Sequence, residues 1–283
     1  MAHHDGKKHN GNKGRKKTGG KPSGGGWLPA DDAHPKLKNG DYMARLQPLQ
    51  YLMRSISISY FRQGLKGIVV VEGTDTAGKG GAIRRMTAEL DPRHYDVWPI
   101  GPPSVEESRH HYLWRFWQRM PERGLIAVFD RSWYGRVLVE RVEGLTPEAH
   151  WRRAYDEIRG FEQTLIDEGT RFVKIYLHVS AEEQRARLAE RVRDPHRHWK
   201  VSAADFKSHL LRDRYLEAAE DMFERTSTDE APWHVIAGDN KHHARIAVLE
   251  TVTKALAKGV DLTPLPLDAE TARLAEEVLG ETG

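Results

Sequence analysis

Residues 68–81, Ile-Val-Val-Val-Glu-Gly-Thr-Asp-Thr-Ala-Gly-Lys-Gly-Gly, pass from an unbroken apolar run directly into a glycine-rich loop that ends in a lysine. The run reads as a buried strand. The loop fits the pattern G-x-x-x-x-G-K from Gly73 to Lys79. In such a loop the backbone N–H groups, here from Gly73 through Thr76, Ala77, Gly78, Gly80 and Gly81, turn inward around phosphate oxygens. The helix that follows starts with its positive dipole end at the same point, and Lys79 adds a full charge. One position departs from the usual pattern. The Ser or Thr expected after the lysine, normally a Mg²⁺ ligand, is Gly80, and an acid, Asp75, stands inside the loop.

The order of elements around this loop sets the fold class. Apolar residues at helical spacing from Asp41 to Gln63 predict a helix over the sheet, with Pro48 kinking it or delaying its start. Strands are predicted at Gly67–Glu72, Tyr95–Ile100, Leu125–Phe129, Phe172–Val179 and Trp233–Ala237. Helices are predicted between them, at about Gly81–Leu90, from Ser104, Trp133–Val142, Pro147–Glu168, Ala181–Val192, from Ser202 to about Arg225, and Lys241–Ala257. Ser104 with Glu107 forms a capping-box signature ahead of a helix rich in arginine and aromatics. Strands alternating with helices of this length imply an α/β fold, a parallel sheet with helices on both faces. The basic stretch 193–201 between two helices has the placement of a helical lid. Residues 40–258 therefore read as one P-loop kinase-like domain with a lid at about 185–215. Residues 1–39 read as a basic, disordered tail and linker. Residues 259–283 read as a peripheral tail with a short helix near Ala269–Leu279.

Composition narrows the class further. The 283 residues suffice for one large domain, and without cysteine neither disulfides, thiolate chemistry nor a Cys-bound zinc is available. No apolar run approaches the roughly 20 residues needed to cross a bilayer, and the N-terminus lacks the apolar stretch of a secretory signal, so a cytoplasmic protein without membrane association is expected. The formal charge is only +3, yet residues 1–26 hold seven Lys/Arg against one acid, Asp5. Such a segment is a solvated tail or an electrostatic arm for a polyanion.

The chemistry concentrates in three places. About 50 residues after the loop, Leu125–Phe129 ends at Asp130, the expected position for an acid that holds Mg²⁺ across from the loop. With no hydroxyl at Gly80, Asp75 is placed to supply the other oxygen, unless it only caps a turn. Arg131 follows the strand-end acid; it either stabilises a transferring phosphoryl group or pairs with Asp75 or Asp130. The third place is the lid, where Arg185, Arg187, Arg191, Arg193, Arg197 and Lys200 fall within 16 residues, with His196 and His198 among them. Arg84, Arg85, Arg109 and Arg115 extend the positive lining. Trp114 and Trp117 are either core residues or stack on a base.

Taken together, Val-Glu-Gly-Thr-Asp-Thr-Ala-Gly-Lys-Gly-Gly, then Phe-Asp-Arg-Ser-Trp-Tyr-Gly-Arg-Val-Leu-Val-Glu-Arg-Val-Glu-Gly at 129–144, resembles the family-2 polyphosphate kinases. So do Asp194-Pro195-His-Arg-His-Trp199-Lys200 and Ala231-Pro232-Trp233. The resemblance covers roughly 40–258. It implies Mg²⁺-dependent phosphoryl transfer between inorganic polyphosphate and a nucleotide. Asp75 and Asp130 would be the metal acids, Lys79 the loop lysine and Arg131 the charge stabiliser. Glu140 would help position metal or nucleotide, and Arg191 and Lys200 would contact the phosphate chain. Gly135 through Glu140 is closer to the members that phosphorylate AMP than to those specific for diphosphates, which tend to carry Asn at 135. ADP, GMP and GDP remain candidate acceptors, and family members assemble as dimers or tetramers. Two other readings stand beside this one: an ATP-dependent nucleotide or small-molecule kinase, and a nucleic-acid-binding P-loop protein, for which no recognition motif is present.

Overall fold

Strand β1 (Gly67–Gly73) is buried along nearly its whole length, and its side chains feed two different cores. Ile68 and Val70 point to one face of the sheet, Val69 and Val71 to the other. A strand with no polar face has to sit mid-sheet, and β1 does so, paired in parallel with β3 (Ile126–Asp130) and β4 (Arg171–His178). β2 (Tyr95–Pro99) and β5 (Trp233–Ala237) close the edges, giving five parallel strands in the order β2-β3-β1-β4-β5. The computed structural model describes residues 26–29 and 35–280; the basic N-terminal tail expected from the sequence lies almost wholly outside them.

On the Val69 and Val71 face pack α1 (Asn39–Gln63), α2 (Lys79–Met86) and α9 (Lys241–Ala257). Pro48 lies inside α1, which starts upstream of it and ends at Gly64 in the left-handed region. On the other face pack the short α3 (Trp114–Trp117), α5 (Glu148–Asp167) and α8 (Arg212–Thr226). The single turn α4 (Val139–Val142), α6 (Ala181–Arg193) and α7 (Ala203–Leu210) surround the carboxyl ends of the strands. α10 (Ala269–Leu279) buries none of its side chains.

Three predicted helices are broken. The Ser104–Glu107 box forms, Ser104 N–H to Glu107 Oε2 at 2.9 Å and Glu107 N–H to Ser104 Oγ at 3.1 Å, but opens only a 3₁₀ turn, Glu107–Arg109, before the chain extends at His110. The aromatics beyond it reach separate partners. Phe116 enters the core, Trp114 stacks on His110 at 4.1 Å, and Trp117 stays half exposed with an edge on Phe161. Core placement is thus wrong for Trp117 and only partial for Trp114. Residues 133–142 divide into a 3₁₀ turn, Trp133–Arg136, and α4, and Trp133, Tyr134, Val137, Leu138 and Val142 all bury across the break. The predicted long helix from Ser202 keeps its capping box with Asp205 but breaks at Leu211, where Arg212 turns inward to donate to the Val179 carbonyl at 2.6 Å.

Candidate active site

All five strands run the same way, so the residues just past their carboxyl ends share one edge of the sheet. The connections leaving β1 and β3 depart toward opposite sides, the kind of place where open α/β sheets bind ligands. The register sets Asp130 level with Val71, two residues before Gly73, so the strand-end acid lies beside the start of the loop.

The loop is held tightly. Thr74 N–H donates to the Leu177 carbonyl at 3.1 Å. A Cβ at Gly73 would come within 2.2 Å of that same oxygen, so only glycine fits. Gly78 supplies a φ of 101° where the loop enters α2. Thr76 takes φ 68° without being glycine, and its carbonyl accepts from Arg187 Nη1 at 2.9 Å. The other terminal nitrogen of Arg187 donates to the Gly238 and Asp239 carbonyls, both at 2.8 Å. This lid arginine is buried and pins the phosphate loop to the segment after β5. The first N–H groups of α2, at Lys79, Gly80 and Gly81, have no helical carbonyl behind them and face the cleft.

Lys79 is buried and donates to the Gly73 and Thr74 carbonyls at 2.8 and 3.2 Å; burial lowers its pKa, against the pull of Asp75. Arg131, at φ 66°, is fixed by its N–H to the Val71 carbonyl, and its guanidinium reaches Asp75 Oδ1 at 2.8 Å. Of the two roles open to Arg131, the ion pair is the one formed here. A Cβ at Gly80 would lie 3.9 Å from Asp130 Oδ2, so the space where a hydroxyl usually stands opens onto that carboxylate. Glu72, at the end of β1, is buried with its pKa raised by burial, and it accepts from Ser132 Oγ at 2.8 Å.

Two cavities meet here. The larger, about 780 Å³, runs over the loop and is lined by Asp75 through Ala82, Arg84, Arg85, Asp130, Arg131 and, from the lid, Arg187, Glu190, Arg191, Arg197, Trp199, Lys200 and Asp205. Lys241, Ala244 and Arg245 line it from α9. The smaller, about 70 Å³, is lined by Glu72, Gly73 and Thr74, by Gly135, Leu138 and Val139, and by Tyr176, Gln184, Ser208, Arg212 and Tyr215. Asp75 and Arg131 line both.

Fifteen of the residues singled out from sequence thus line one cleft: Asp75, Thr76, Ala77, Gly78, Lys79, Gly80, Gly81, Arg84, Arg85, Asp130, Arg131, Arg187, Arg191, Arg197 and Lys200. Gly73 lines the smaller cavity. Glu140 lines neither. It pairs with Arg136 at 2.7 Å, and burial raises its pKa against the pull of Arg136. Arg109 and Arg115 also stay away, held by Glu106 and Glu107. Arg185, Arg193, His196 and His198 of the lid do not reach the cleft lining. Sequence reasoning missed Glu72, Lys241, Arg245, Arg212 and Tyr215. Lys241 and Arg245 were within reach of it: they stand four apart on a helix that begins just past a strand's carboxyl end.

Comparison with known proteins bears on the family and the fold. The polyphosphate kinase 2 (PPK2) family model matches residues 36–261. A Pseudomonas syringae pv. tomato protein named polyphosphate:AMP phosphotransferase is 47% identical over 191 residues, 68% of this chain and 38% of that protein. The chain spans less than half the length of the polyphosphate:AMP phosphotransferases it matches. ADP-polyphosphate phosphotransferase 2 of Rhizobium meliloti is 37% identical over 227 residues, 79% of this chain and 74% of that one. The crystal structure of polyphosphate kinase 2 from Arthrobacter aurescens superposes with a TM-score of 0.82 at 32% identity, covering 92% of this chain and 93% of that one.

Proposed function

This chain belongs to the polyphosphate kinase 2 family, and we propose that it moves a phosphoryl group between inorganic polyphosphate and a nucleotide, with AMP as the preferred acceptor and ADP as a further one. The observation that carries this reading is the pair of cavities that share Asp75 and Arg131. A phosphate chain lies along the large basic cleft, the nucleotide's terminal phosphate enters from the smaller cavity, and transfer takes place where they meet. Residues 40–258 are the catalytic unit in this reading, and 185–215 the lid that shuts out water. Gly135, the position that separates AMP-using from diphosphate-using members in the resemblance, lines the smaller cavity, and the names of the relatives support the same lean. Assembly as a homo-oligomer in the cytoplasm belongs to the same reading.

The residues fit Mg²⁺. Asp75 and Asp130 present hard carboxylate oxygens to the cleft, and the side-chain-free Gly80 leaves room before Asp130. Among the described residues no three acidic or histidine side chains converge. That suits Mg²⁺, which takes one or two carboxylates and completes its shell with phosphates and waters. When bound there it would draw charge from the bridging phosphate oxygens. The protein's own part is positional. Backbone N–H groups at the start of α2 and Lys79 hold the chain's end in line with the acceptor oxygen. Arg131 exchanges its bond to Asp75 for one to the oxygens of the group in flight. The acceptor phosphate oxygen attacks the chain's terminal phosphorus as its bond to the bridging oxygen breaks, the polyphosphate one unit shorter leaves on that oxygen, and no covalent intermediate with the protein is required.

The test supplies AMP or ADP, in parallel with GMP and GDP, together with long-chain polyphosphate and Mg²⁺, with no ATP present. A new nucleotide, one phosphate longer, is expected on chromatography. Asp75→Ala and Lys79→Ala should each reduce its rate by about 10²–10³, with circular dichroism unchanged. Product formed only when ATP is the donor, or near-normal turnover in either variant, would overturn the reading.

A further inference from the structure

Arg131 is held in a conformation that a side chain resists. Its φ of 66° lies in the left-handed region, where a residue with a β-carbon is crowded. Arginine persists there only where its neighbours fix the chain on both sides. On one side Asp130 is level with Val71 in the β1–β3 pairing, and the Arg131 N–H donates to the Val71 carbonyl at 3.0 Å. On the other side stands Ser132, buried and in extended backbone, with φ −156° and ψ −161°. Its hydroxyl donates to Glu72 Oε1 at 2.8 Å and accepts from the Tyr134 N–H at 3.3 Å.

Both holds come from consecutive residues of β1. Val71 takes the amide of the bend, and Glu72 takes the hydroxyl just after it. Glu72 is itself fixed. It pairs with Tyr176 of β4, and the next residue, Gly73, packs so closely on the Leu177 carbonyl that no β-carbon fits. Burying a carboxylate is costly; here it faces Lys79 and Arg131, whose charges offset part of that cost. The Ser132 hydroxyl also caps the 3₁₀ turn Trp133–Arg136, in which Trp133 and Tyr134 are buried. Arg131 is therefore a rigid base with a loose tip, for its side chain is half exposed and bonded at its end to Asp75 Oδ1. A cation that trades one anion for another at a junction gains from this division, because any turn of the base would carry the charge off line.

We propose that Glu72 and Ser132 are positioning residues for phosphoryl transfer: the hydrogen bond between them clamps the backbone of Arg131 and so aims its guanidinium at the junction of the two cavities. The inference rests on the polyphosphate–nucleotide reading above. Both residues act through Arg131 and not on the reacting atoms. Removing the clamp therefore slows transfer and leaves the binding of donor and acceptor as it was.

The test measures transfer from long-chain polyphosphate to AMP with Mg²⁺, and reads kcat and KM separately. Ser132→Ala should lower kcat about tenfold, with both KM values within about twofold of the parent. Ser132→Thr, which keeps the hydroxyl, should recover most of that loss. Glu72→Gln, which keeps an acceptor oxygen, should lose less than Glu72→Leu. In an Arg131→Gln background Ser132→Ala should add little, because the two changes remove one function. A full tenfold loss in that background, or a loss carried by KM alone, overturns the proposal. Hydrogen exchange of the free protein, read by mass spectrometry, checks the clamp without turnover. The amides of 131–134 should exchange about tenfold faster in Ser132→Ala, and unchanged protection there overturns the clamp. If the unaltered enzyme forms no ADP from polyphosphate and AMP, the transfer reading fails, while the exchange result still decides the clamp.

Discussion

Glu72 shows what single residues do at this site. Its carboxyl is buried between Ser132, which donates to it, and the charges of Lys79 and Arg131, and burial raises its pKa. A buried acid with a raised folded-state pKa binds more protons folded than unfolded, so stability declines as pH rises. The decline begins near the unfolded value of about 4.3 and ends above the raised folded value. Glu72→Gln removes this dependence. The difference in Tm between variant and parent should shift in the variant's favour from pH 5 to pH 7, as read by thermal melts at both values. A pH-independent difference would mean that Glu72 is not strained by ionisation. The places of Gly80 and Asp75 in the cleft were legible from the sequence alone, because both lie within the glycine-rich motif itself. Glu72 was not, because an acid at a strand end becomes distinctive only once Ser132 and Arg131 stand beside it. Arg131 is a middle case: its place after Asp130 was legible, but its pairing with Asp75 was a choice between two stated roles.

At the level of elements, strand and helix existence followed the apolar periodicity closely, and continuity did not. The breaks at His110, Leu138 and Leu211 come where tertiary partners outweigh the intrahelical ladder. The segment Arg131–Tyr134 is secured this way. Trp133 Nε1 and the Tyr134 hydroxyl donate to Glu162 Oε1 on α5 at 3.1 and 2.7 Å. The fully buried Lys174 of β4 donates to Glu162 Oε2 at 2.8 Å, to the Tyr134 hydroxyl at 3.0 Å and to the Thr226 carbonyl at 2.8 Å. This network ties the strand-end block to three elements beneath it. Lys174→Met alone leaves the Glu162 charge buried without its partner, and should cost about 3–5 kcal/mol in denaturant unfolding. Adding Glu162→Leu should recover much of that loss, because an apolar pair avoids the desolvation of both ions. A double variant no more stable than the single one would mean that the hydrogen bonds to Trp133 and Tyr134, not the ion pair, carry the anchoring.

Across the whole molecule, the smaller cavity is assembled from β1, β4, the turn after β3 and three helices of the lid region. Gly135 lines it, and a Cβ there would meet only Val139 Cγ1, at 3.7 Å, an ordinary contact. Gly135→Asn should therefore fold normally while filling part of this cavity and, on the proposed function, should shift the ratio of AMP to ADP turnover toward ADP by about tenfold. An unchanged ratio in parallel acceptor assays would separate Gly135 from acceptor choice. The sequence by itself determined the α/β architecture, the glycine-rich loop with an acid inside it, and Asp130-Arg131 across from it. Each of these is encoded in residues close together in the chain, where strand burial, glycine geometry and charge act locally. The tertiary structure alone decided which cations face the cleft. It set Arg187 as an anchor, brought Arg245 from α9 beside Arg85, and left Glu140 paired with Arg136 and Arg115 with Glu107. A cation's role depends on which charges surround it in space, and contacts such as Arg187 with Thr76 or Arg245 with Arg85, between residues far apart in the chain, leave no periodic trace in the sequence.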